Sequence, residues 1–362
     1  MDRKKLFDNL FTALHIAEAV NNSNGHPVNA DVALTAFFSH RFSDAEGYKS
    51  RLDYLMYLSR EHIPELGRRG EVTFYSGRNL LQGYHYYAKG TSKGLVVFVH
   101  GIMGCADDKY AIFQAEMLRR GYDVFAFDLT ASGRSQGQEI SGLQQSAYDV
   151  AAALDYLRST GECPLGMPVF LFGHSWGGYG VAASLGLGAR PTAVVSVSGF
   201  VSPLKEMLGL PSSYLGGAVP LGEGELAEAL RRRVGERYDL SAYEGVRDSG
   251  VPTLLIHGDQ DKTVPLEGVS LFRNAQGLPN VETILRQGYG HMDVFFDPRA
   301  VDYAKKVKEM GEELIARYGK SLESVPKEEI EGFQRSFDRR LCSALDQGLF
   351  DSIDAFLSRH IV

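Results

Sequence analysis

The chain has 362 residues, of which 44% are hydrophobic and 23% are charged, and its formal net charge at pH 7 is -7. This mix is typical of globular proteins and allows a sizeable core, in one large domain or two smaller ones. The acidic balance argues against a nucleic-acid partner, because phosphate binding needs a basic surface.

The first 70 residues predict a helical N-terminal extension. Leu6, Leu10, Leu14 and Ala17 recur at helical spacing, and a second amphipathic region spans about 31–62. Pro64 and Gly67 then break the pattern.

From residue 71 onward, short apolar runs predict strands. Segments 71–76 and 83–88 predict a pair of strands around a turn at 77–79. Continuous apolar runs follow at 94–100, 122–127, 168–172, 193–197 and 252–257, with a final strand near 281–285. Helical segments at about 109–120, 143–158 and 177–187 alternate with them. Strands without polar alternation need cover on both faces, so the pattern predicts a parallel sheet with helices on both sides.

Two further regions interrupt or follow this alternation. Residues 200–248 contain no convincing strand but include a charged helical stretch at 223–237. We expect this insertion to form a helical cap over the carboxyl edge of the sheet. Residues 298–362 are again helical, so the predicted domains are a core at 71–316 and a helical C-terminal extension at 317–362.

Targeting signals are weak. No continuous apolar segment follows the charged N-terminus, and no uncharged apolar run reaches about 18 residues. We therefore expect no membrane span and a cytoplasmic location. The three cysteines are odd in number and far apart, which predicts neither a disulfide framework nor a zinc site.

The clearest chemical motif is G-x-S-x-G at 173–177, centred on Ser175. It follows a buried strand and precedes a helix, which is the context that this motif requires. A serine on so tight a turn has a strained backbone and presents its hydroxyl clear of the sheet, near the amides of the following helix.

The segment Gly173-His174-Ser175-Trp176-Gly177-Gly178 resembles the nucleophile elbow of α/β-hydrolases, and the resemblance covers about 71–315. It implies the α/β-hydrolase fold, with a mostly parallel eight-stranded sheet. The segment 100–104 resembles the family's H-G-x-x-G oxyanion segment. The resemblance therefore implies that the backbone amides of Ile102 and Trp176 stabilise the oxyanion, and that His100 is structural.

A third segment, at 128–135, resembles the family loop D-x-x-G-x-G-x-S. Here Ala131 and Ser132 replace part of the usual Gly-His pattern, which leaves the loop geometry open. We expect Asp128 to organise this loop rather than to act in catalysis.

A serine nucleophile needs a base and an orienting acid. In this fold the chain order is serine, acid, histidine, and His291 lies in a Gly-rich loop after the final strand, as the family's catalytic histidine does. The run 257–265 resembles the family's acid loop H-G-x-x-D-x-x-V-P, in which the matching acid is Asp261. Asp259, two residues earlier in the loop, is the competing candidate.

These residues predict a serine hydrolase that cleaves a carboxylic ester or thioester through an acyl-enzyme. A peptidase similar to proline iminopeptidases is the alternative within the class, because amine and alcohol leaving groups use the same triad. A non-catalytic relative that binds a ligand or partner is the alternative outside it. We found no metal or cofactor motif, and we expect a small acyl substrate and allow for a homo-oligomer.

Overall fold

The computed structural model describes residues 30–43, 49, 51–209, 222–319 and 321–361. The predicted helix near Leu6–Ala17 lies outside these residues, and so does part of the predicted insertion, at 210–221.

The described residues form one eight-stranded sheet with the order β1-β2-β4-β3-β5-β6-β7-β8. In chain order, the strands are β1 (Gly70–Ser76), β2 (Asn79–Tyr86), β3 (Leu95–Val99), β4 (Asp123–Phe127), β5 (Val169–His174), β6 (Ala193–Val197), β7 (Thr253–Gly258) and β8 (Val281–Arg286). β2 pairs antiparallel with both of its neighbours, and every other pairing is parallel. The predicted mostly parallel eight-stranded sheet is therefore confirmed.

The second strand begins earlier than its apolar pattern indicates. Ser76 pairs with Asn79 across a two-residue turn, and Gly77 in that turn has a φ of 57°. Residues 79–82 pair with the edge strand β1 and precede the part of β2 that pairs with β4. Because this first part of β2 is only partly buried, its polar residues do not give the apolar signal of a strand that is covered on both faces.

The α-helices of the described residues are α1 (Ala30–Phe38), α2 (Leu52–Met56), α3 (Ala111–Arg119), α4 (Gln145–Thr160), α5 (Trp176–Ala183), α6 (Pro203–Gly209), α7 (Glu223–Val234), α8 (Ala242–Ser249), α9 (Leu271–Ala275), α10 (Pro298–Tyr318), α11 (Lys327–Arg335), α12 (Arg339–Cys342) and α13 (Gln347–Arg359). None of them combines the length and the apolar character that crossing a bilayer requires, within the described ranges.

Helices cover both faces of the sheet, as continuous apolar strands require. Along β3, Leu95, Val97 and Val99 join one core cluster, which includes residues of α1, α4, α5 and α7. Val96 and Phe98 join a second cluster, which includes residues of α3 and α13. The carboxyl ends of β3, β5, β7 and β8 therefore lie at one edge of a sheet that is supported from both sides.

Residues from the two ends of the chain pack together in a third cluster. Leu55 and Met56 of α2 share it with Val307 and Leu314 of α10 and Phe333 of α11. A hydrogen bond from the Arg339 Nε of α12 to the Leu55 carbonyl, 3.0 Å long, joins α2 to a further helix of the C-terminal region. Residues 52–56 are thus packed against the C-terminal helices.

Candidate active site

Ser175 occupies the bend between β5 and α5. Its φ of 57° and ψ of -120° lie in a region that non-glycine residues rarely adopt, at a cost of about 1–3 kcal/mol. Its amide donates to the Val197 carbonyl of the neighbouring strand at 2.8 Å. The bend also needs glycines on both sides, because a Cβ on Gly173 would lie 2.2 Å from the Gly177 carbonyl oxygen, and a Cβ on Gly177 would lie 2.2 Å from the Val99 oxygen. The strained serine is therefore held by the surrounding backbone.

The helix that follows Ser175 begins at Trp176. Amides in the first turn of a helix have no acceptor within the helix, and the helix dipole places positive potential there. The Trp176 amide is thus well suited to receive an anion beside Ser175. The indole of Trp176 points inward instead: it is 1% exposed, and its Nε1–H donates to the Leu143 carbonyl at 2.5 Å. The Trp176 side chain therefore belongs to the packed core.

The loop that follows β3 approaches the bend at Gly101. A Cβ built on Gly101 would lie 3.2 Å from the Ser175 Cβ. Residues 101–104 form a turn in which the Gly104 amide donates to the Gly101 carbonyl at 3.1 Å. His100 Nδ1–H donates to the same carbonyl at 2.8 Å. Because the peptide group is planar and trans, fixing this carbonyl also fixes the direction of the Ile102 N–H.

The tautomer of His100 follows from its partners. The Leu129 amide donates to Nε2 at 3.1 Å, so the proton is on Nδ1, where it reaches the Gly101 carbonyl. Burial lowers the pKa of His100 to about 4, which keeps the ring neutral near pH 7. His100 thus bridges the loops after β3 and β4, in agreement with a structural role.

Asp261 and His291 meet at the carboxyl edge of the sheet, on the loops after β7 and β8. His291 Nδ1–H donates to Asp261 Oδ2 at 2.7 Å, and the Asp261 side chain is fully buried while that of His291 is 19% exposed. Asp261 Oδ1 accepts the amides of Thr263 and Val264 at 2.8 and 2.9 Å. Burial by itself would raise the pKa of Asp261, but the neighbouring His291 ring, its hydrogen bond and the loop amide lower it overall. The carboxylate is therefore ionised and directed at the imidazole.

The competing carboxylate, Asp259, has a different partner. Its Oδ1 accepts the Gly288 amide at 2.7 Å, so it joins the acid loop to the loop that carries His291. The structure thus brings Asp261 to the imidazole and gives Asp259 a supporting contact.

His174, the residue before the serine, fastens the His291 loop to the bend. Its Nε2–H donates to the His291 carbonyl at 3.0 Å, its Nδ1 accepts from the Tyr110 hydroxyl at 2.8 Å, and the two histidine rings lie 4.8 Å apart. Burial, with the His291 ring as the next cause, holds the pKa of His174 well below its usual value. The Ser198 hydroxyl donates to the same His291 carbonyl at 3.3 Å. These contacts were not anticipated from the sequence, although His174 stands inside the motif.

Buried hydrogen bonds hold the loop at 128–135, which includes Ala131. Asp128 is buried and accepts the amides of Ala106 and Arg134 at 2.8 and 2.9 Å. Ala131 adopts a φ of 60°, a conformation that glycine takes more easily. Asp128 therefore organises the loop, as expected, while the alanine carries some backbone strain.

Residues of the N-terminal region also reach the loops around Ser175. Phe42 packs on the Trp176 ring with centroids 5.9 Å apart, and its amide donates to the Ala131 carbonyl at 2.9 Å. Ser43 and Arg51 contact the turn after β3. The sequence contains no motif that signals these contacts.

His257 lies in β7, next to the loop that carries Asp261. It is buried, its Nε2 lies 2.9 Å from the Val264 carbonyl, and burial lowers its pKa, which indicates a structural role. Within the residues that the structure describes, no group of three or more His, Cys, Asp and Glu side chains is arranged to hold a metal ion.

The sheet order, the strained serine after its β5 strand, and the paired Asp261 and His291 on the following loops define an α/β-hydrolase. Residues 90–220 match the model of a protein family described as "Serine aminopeptidase, S33". No curated protein matches the chain. The chain is thus an enzyme of the α/β-hydrolase class.

Several solved structures are similar to this chain. One is Est1E from Butyrivibrio proteoclasticus with ferulic acid bound, with 20% identity and a TM-score of 0.48 over 68% of this chain and 99% of that chain. Another is the Pyrococcus furiosus esterase Pf2001, with 19% identity and a TM-score of 0.49 over 69% of this chain and 91% of that chain. A third is TT1662 from Thermus thermophilus, with 24% identity and a TM-score of 0.44 over 62% of this chain and 90% of that chain.

Proposed function

We propose that the chain is a serine hydrolase that cleaves a carboxylic ester or thioester through an acyl-enzyme. Ser175 is the nucleophile, His291 the general base and acid, and Asp261 the residue that orients the imidazole. The observation that carries this proposal is the hydrogen bond between His291 Nδ1 and Asp261 Oδ2. The loop of His291 is in turn bonded to His174, the residue before Ser175.

The tautomer of His291 supports its role as a base. Since an ionised carboxylate only accepts, Nδ1 carries the proton and Nε2 has a free lone pair. This lone pair takes the Ser175 proton as the hydroxyl oxygen attacks the substrate carbonyl carbon. The imidazolium that forms is stabilised by Asp261.

The oxyanion that develops in this step needs fixed donors. In our proposal these are the amides of Ile102 and Trp176, the first held by the turn at 101–104 and the second by the helix N-terminus. Removing one such donor typically costs about 3 kcal/mol of transition-state stabilisation. His291 then protonates the leaving group, and a water molecule activated by His291 releases the acyl group.

Substrate access is the part of the proposal that involves the insertion. We propose that the core at 71–316 performs the chemistry and that the insertion at about 200–248 forms a cap. Leu204 and Met207 of α6 are buried, whereas Leu208 is exposed; Leu210, Tyr214 and Leu215 of the same insertion lie outside the described residues. The helical regions at 1–70 and 317–362 are proposed to be extensions of this core.

The nucleophile is tested by labelling with a fluorophosphonate probe. We expect the wild type and Ser184→Ala to be labelled and Ser175→Ala to be unlabelled. Ser184 is a matched control, because it is a buried serine directly after α5 whose hydroxyl donates to the Val181 carbonyl at 2.9 Å. Equal labelling of wild type and Ser175→Ala would refute the assignment, and labelling of neither would favour a non-catalytic binding protein.

A peptidase is the second candidate, and the family match at 90–220 favours it specifically. The two are separated by comparing kcat/KM for a series of p-nitrophenyl esters of increasing acyl length with kcat/KM for aminoacyl p-nitroanilides. We expect the esters to be cleaved faster relative to their uncatalysed rates. Faster relative turnover of the anilides would replace the esterase proposal with a peptidase that uses the same residues.

A further inference from the structure

The turn at 101–104, which carries the proposed oxyanion donor Ile102, contains a strained residue. Met103 has a φ of 65°, at the third position of the turn, where glycine or asparagine is normally found. Strained residues of this kind cost about 1–3 kcal/mol and persist only when surrounding contacts hold them. The contacts that hold this turn therefore decide whether the Ile102 amide stays in place.

Two of these contacts come from the N-terminal region. Ser43 is buried, and its hydroxyl donates to the Gly104 carbonyl at 2.7 Å while accepting the Gly133 amide at 3.1 Å. The single hydroxyl therefore links the turn after β3 to the loop after β4. Its hydrogen-bonding capacity is used in both directions, so an apolar replacement leaves two buried backbone groups without this partner.

Arg51 holds the neighbouring peptide. Its Nη1 donates to the carbonyl of Met103, the strained residue itself, and its Nη2 donates to the Phe42 carbonyl at 3.4 Å. Together with the His100 bond to Gly101, external donors hold the carbonyls of Gly101, Met103 and Gly104. Three of the four carbonyls in the turn are thus anchored from outside it.

We propose that Ser43 and Arg51 are positioning residues that keep the oxyanion turn in its reactive geometry. Their hydrogen bonds to the site go to backbone carbonyls, so they act through the backbone of Met103 and Gly104. The inference rests on the proposed function, since it needs an oxyanion bound at the Ile102 amide. In this proposal the N-terminal region holds the oxyanion turn in place, a role that neither the bend at Ser175 nor the pair of Asp261 and His291 performs.

The test uses full-length variants and a readout specific to the oxyanion. Ser43→Ala and Arg51→Gln are each assayed on the p-nitrophenyl ester that the wild type cleaves fastest and on the matching thionoester, in which sulfur replaces the carbonyl oxygen. We expect kcat for the ester to fall about 10- to 100-fold with little change in KM, because small displacements of catalytic groups cost this much. The ester-to-thionoester rate ratio should fall as well, since sulfur accepts hydrogen bonds weakly and depends less on the donors.

Three comparisons make the result specific. Ser43→Thr keeps the hydroxyl and should restore the wild-type ratio. Ser76→Ala is the matched control, because Ser76 is also a buried serine, and its hydroxyl donates to Asp149 at 2.6 Å, away from this turn; its rate ratio should equal that of the wild type. Should Ser43→Ala fail to fold, Arg51→Gln decides the question, because Arg51 is partly exposed.

Unchanged rate ratios in the folded variants would overturn the inference, and so would an equal drop in Ser76→Ala. Failure of the proposed function has a different signature, which is undiminished ester hydrolysis by Ser175→Ala. With Ser175→Ala inactive and the ratios unchanged, only the positioning role of the N-terminal region is rejected.

Discussion

Replacing Asp261 by asparagine tests the acid assignment most directly. Asparagine keeps a carbonyl oxygen that can accept the amides of Thr263 and Val264, so the loop should retain its shape. Its NH2 group then stands where Oδ2 lies, 2.7 Å from His291 Nδ1. Since the NH2 group only donates, Nδ1 must become the acceptor and the ring proton moves to Nε2.

An imidazole protonated on Nε2 cannot accept the serine proton. The same change in a serine protease triad lowers kcat by about 10⁴-fold, which corresponds to about 5 kcal/mol of activation free energy. We therefore expect kcat for p-nitrophenyl ester hydrolysis by Asp261→Asn to fall by about this factor, with a midpoint of thermal unfolding close to that of the wild type.

Asp259→Asn is the matched control for this experiment. Its carbonyl oxygen can still accept the Gly288 amide, which the carboxylate now accepts at 2.7 Å, so activity should stay within a few-fold of the wild type. The reasoning is refuted if Asp261→Asn keeps most of its activity while Asp259→Asn loses it. In that outcome the acid is Asp259, and the loop must rearrange when substrate binds.

Three further predictions concern the framework of the site. Tyr110→Phe removes the hydroxyl that donates to His174 Nδ1 at 2.8 Å, and should lower the free energy of unfolding in urea by about 1–3 kcal/mol; an unchanged value would mean that another group replaces the donor. Burial raises the pKa of Asp128 to about 6. Because this pKa is above the unfolded value, the contribution of Asp128 to stability is complete below about pH 4 and is lost, by up to about 3 kcal/mol, as the pH rises through 6. Asp128→Asn should therefore weaken the decline in unfolding free energy between pH 4 and 7. A pH profile identical to that of the wild type would contradict the raised pKa of Asp128. Gly177→Ala places a Cβ 2.2 Å from the Val99 carbonyl oxygen and should destabilise the fold by more than about 4 kcal/mol; a thermal midpoint near that of the wild type would show that the bend is not so constrained.

The central sheet could be predicted because its strands are marked by local composition. Runs such as Leu95–Val99 contain no polar residue, and only a strand covered on both faces tolerates this. The start of β2 was missed for the opposite reason. Residues 79–82 of β2 pair with the edge strand β1 and are mostly half-buried, so polar residues such as Asn79 and Gln82 belong to the strand without giving an apolar signal.

The proposed nucleophile, Ser175, also follows from local sequence. Glycines at 173 and 177 around Ser175 are required wherever a strand, a tight bend and a helix approach this closely, and this requirement stays within five consecutive residues. The partners of the serine do not follow from neighbouring residues. His291 lies 116 positions beyond Ser175 in the chain, and the sequence left two carboxylates open for it.

The choice between Asp261 and Asp259 depended on which side chain faces the imidazole, and two residues of one loop can face opposite ways. The contacts of Ser43 with Gly104 and of His174 with the His291 carbonyl span 61 and 117 residues. Hydrogen bonds between such distant segments arise only when the sheet brings the loop ends together. The amino-acid pattern thus specified the sheet and the strained serine, because both depend on neighbouring residues. The groups that surround the serine come from distant segments of the chain, so only the tertiary structure determined which they are.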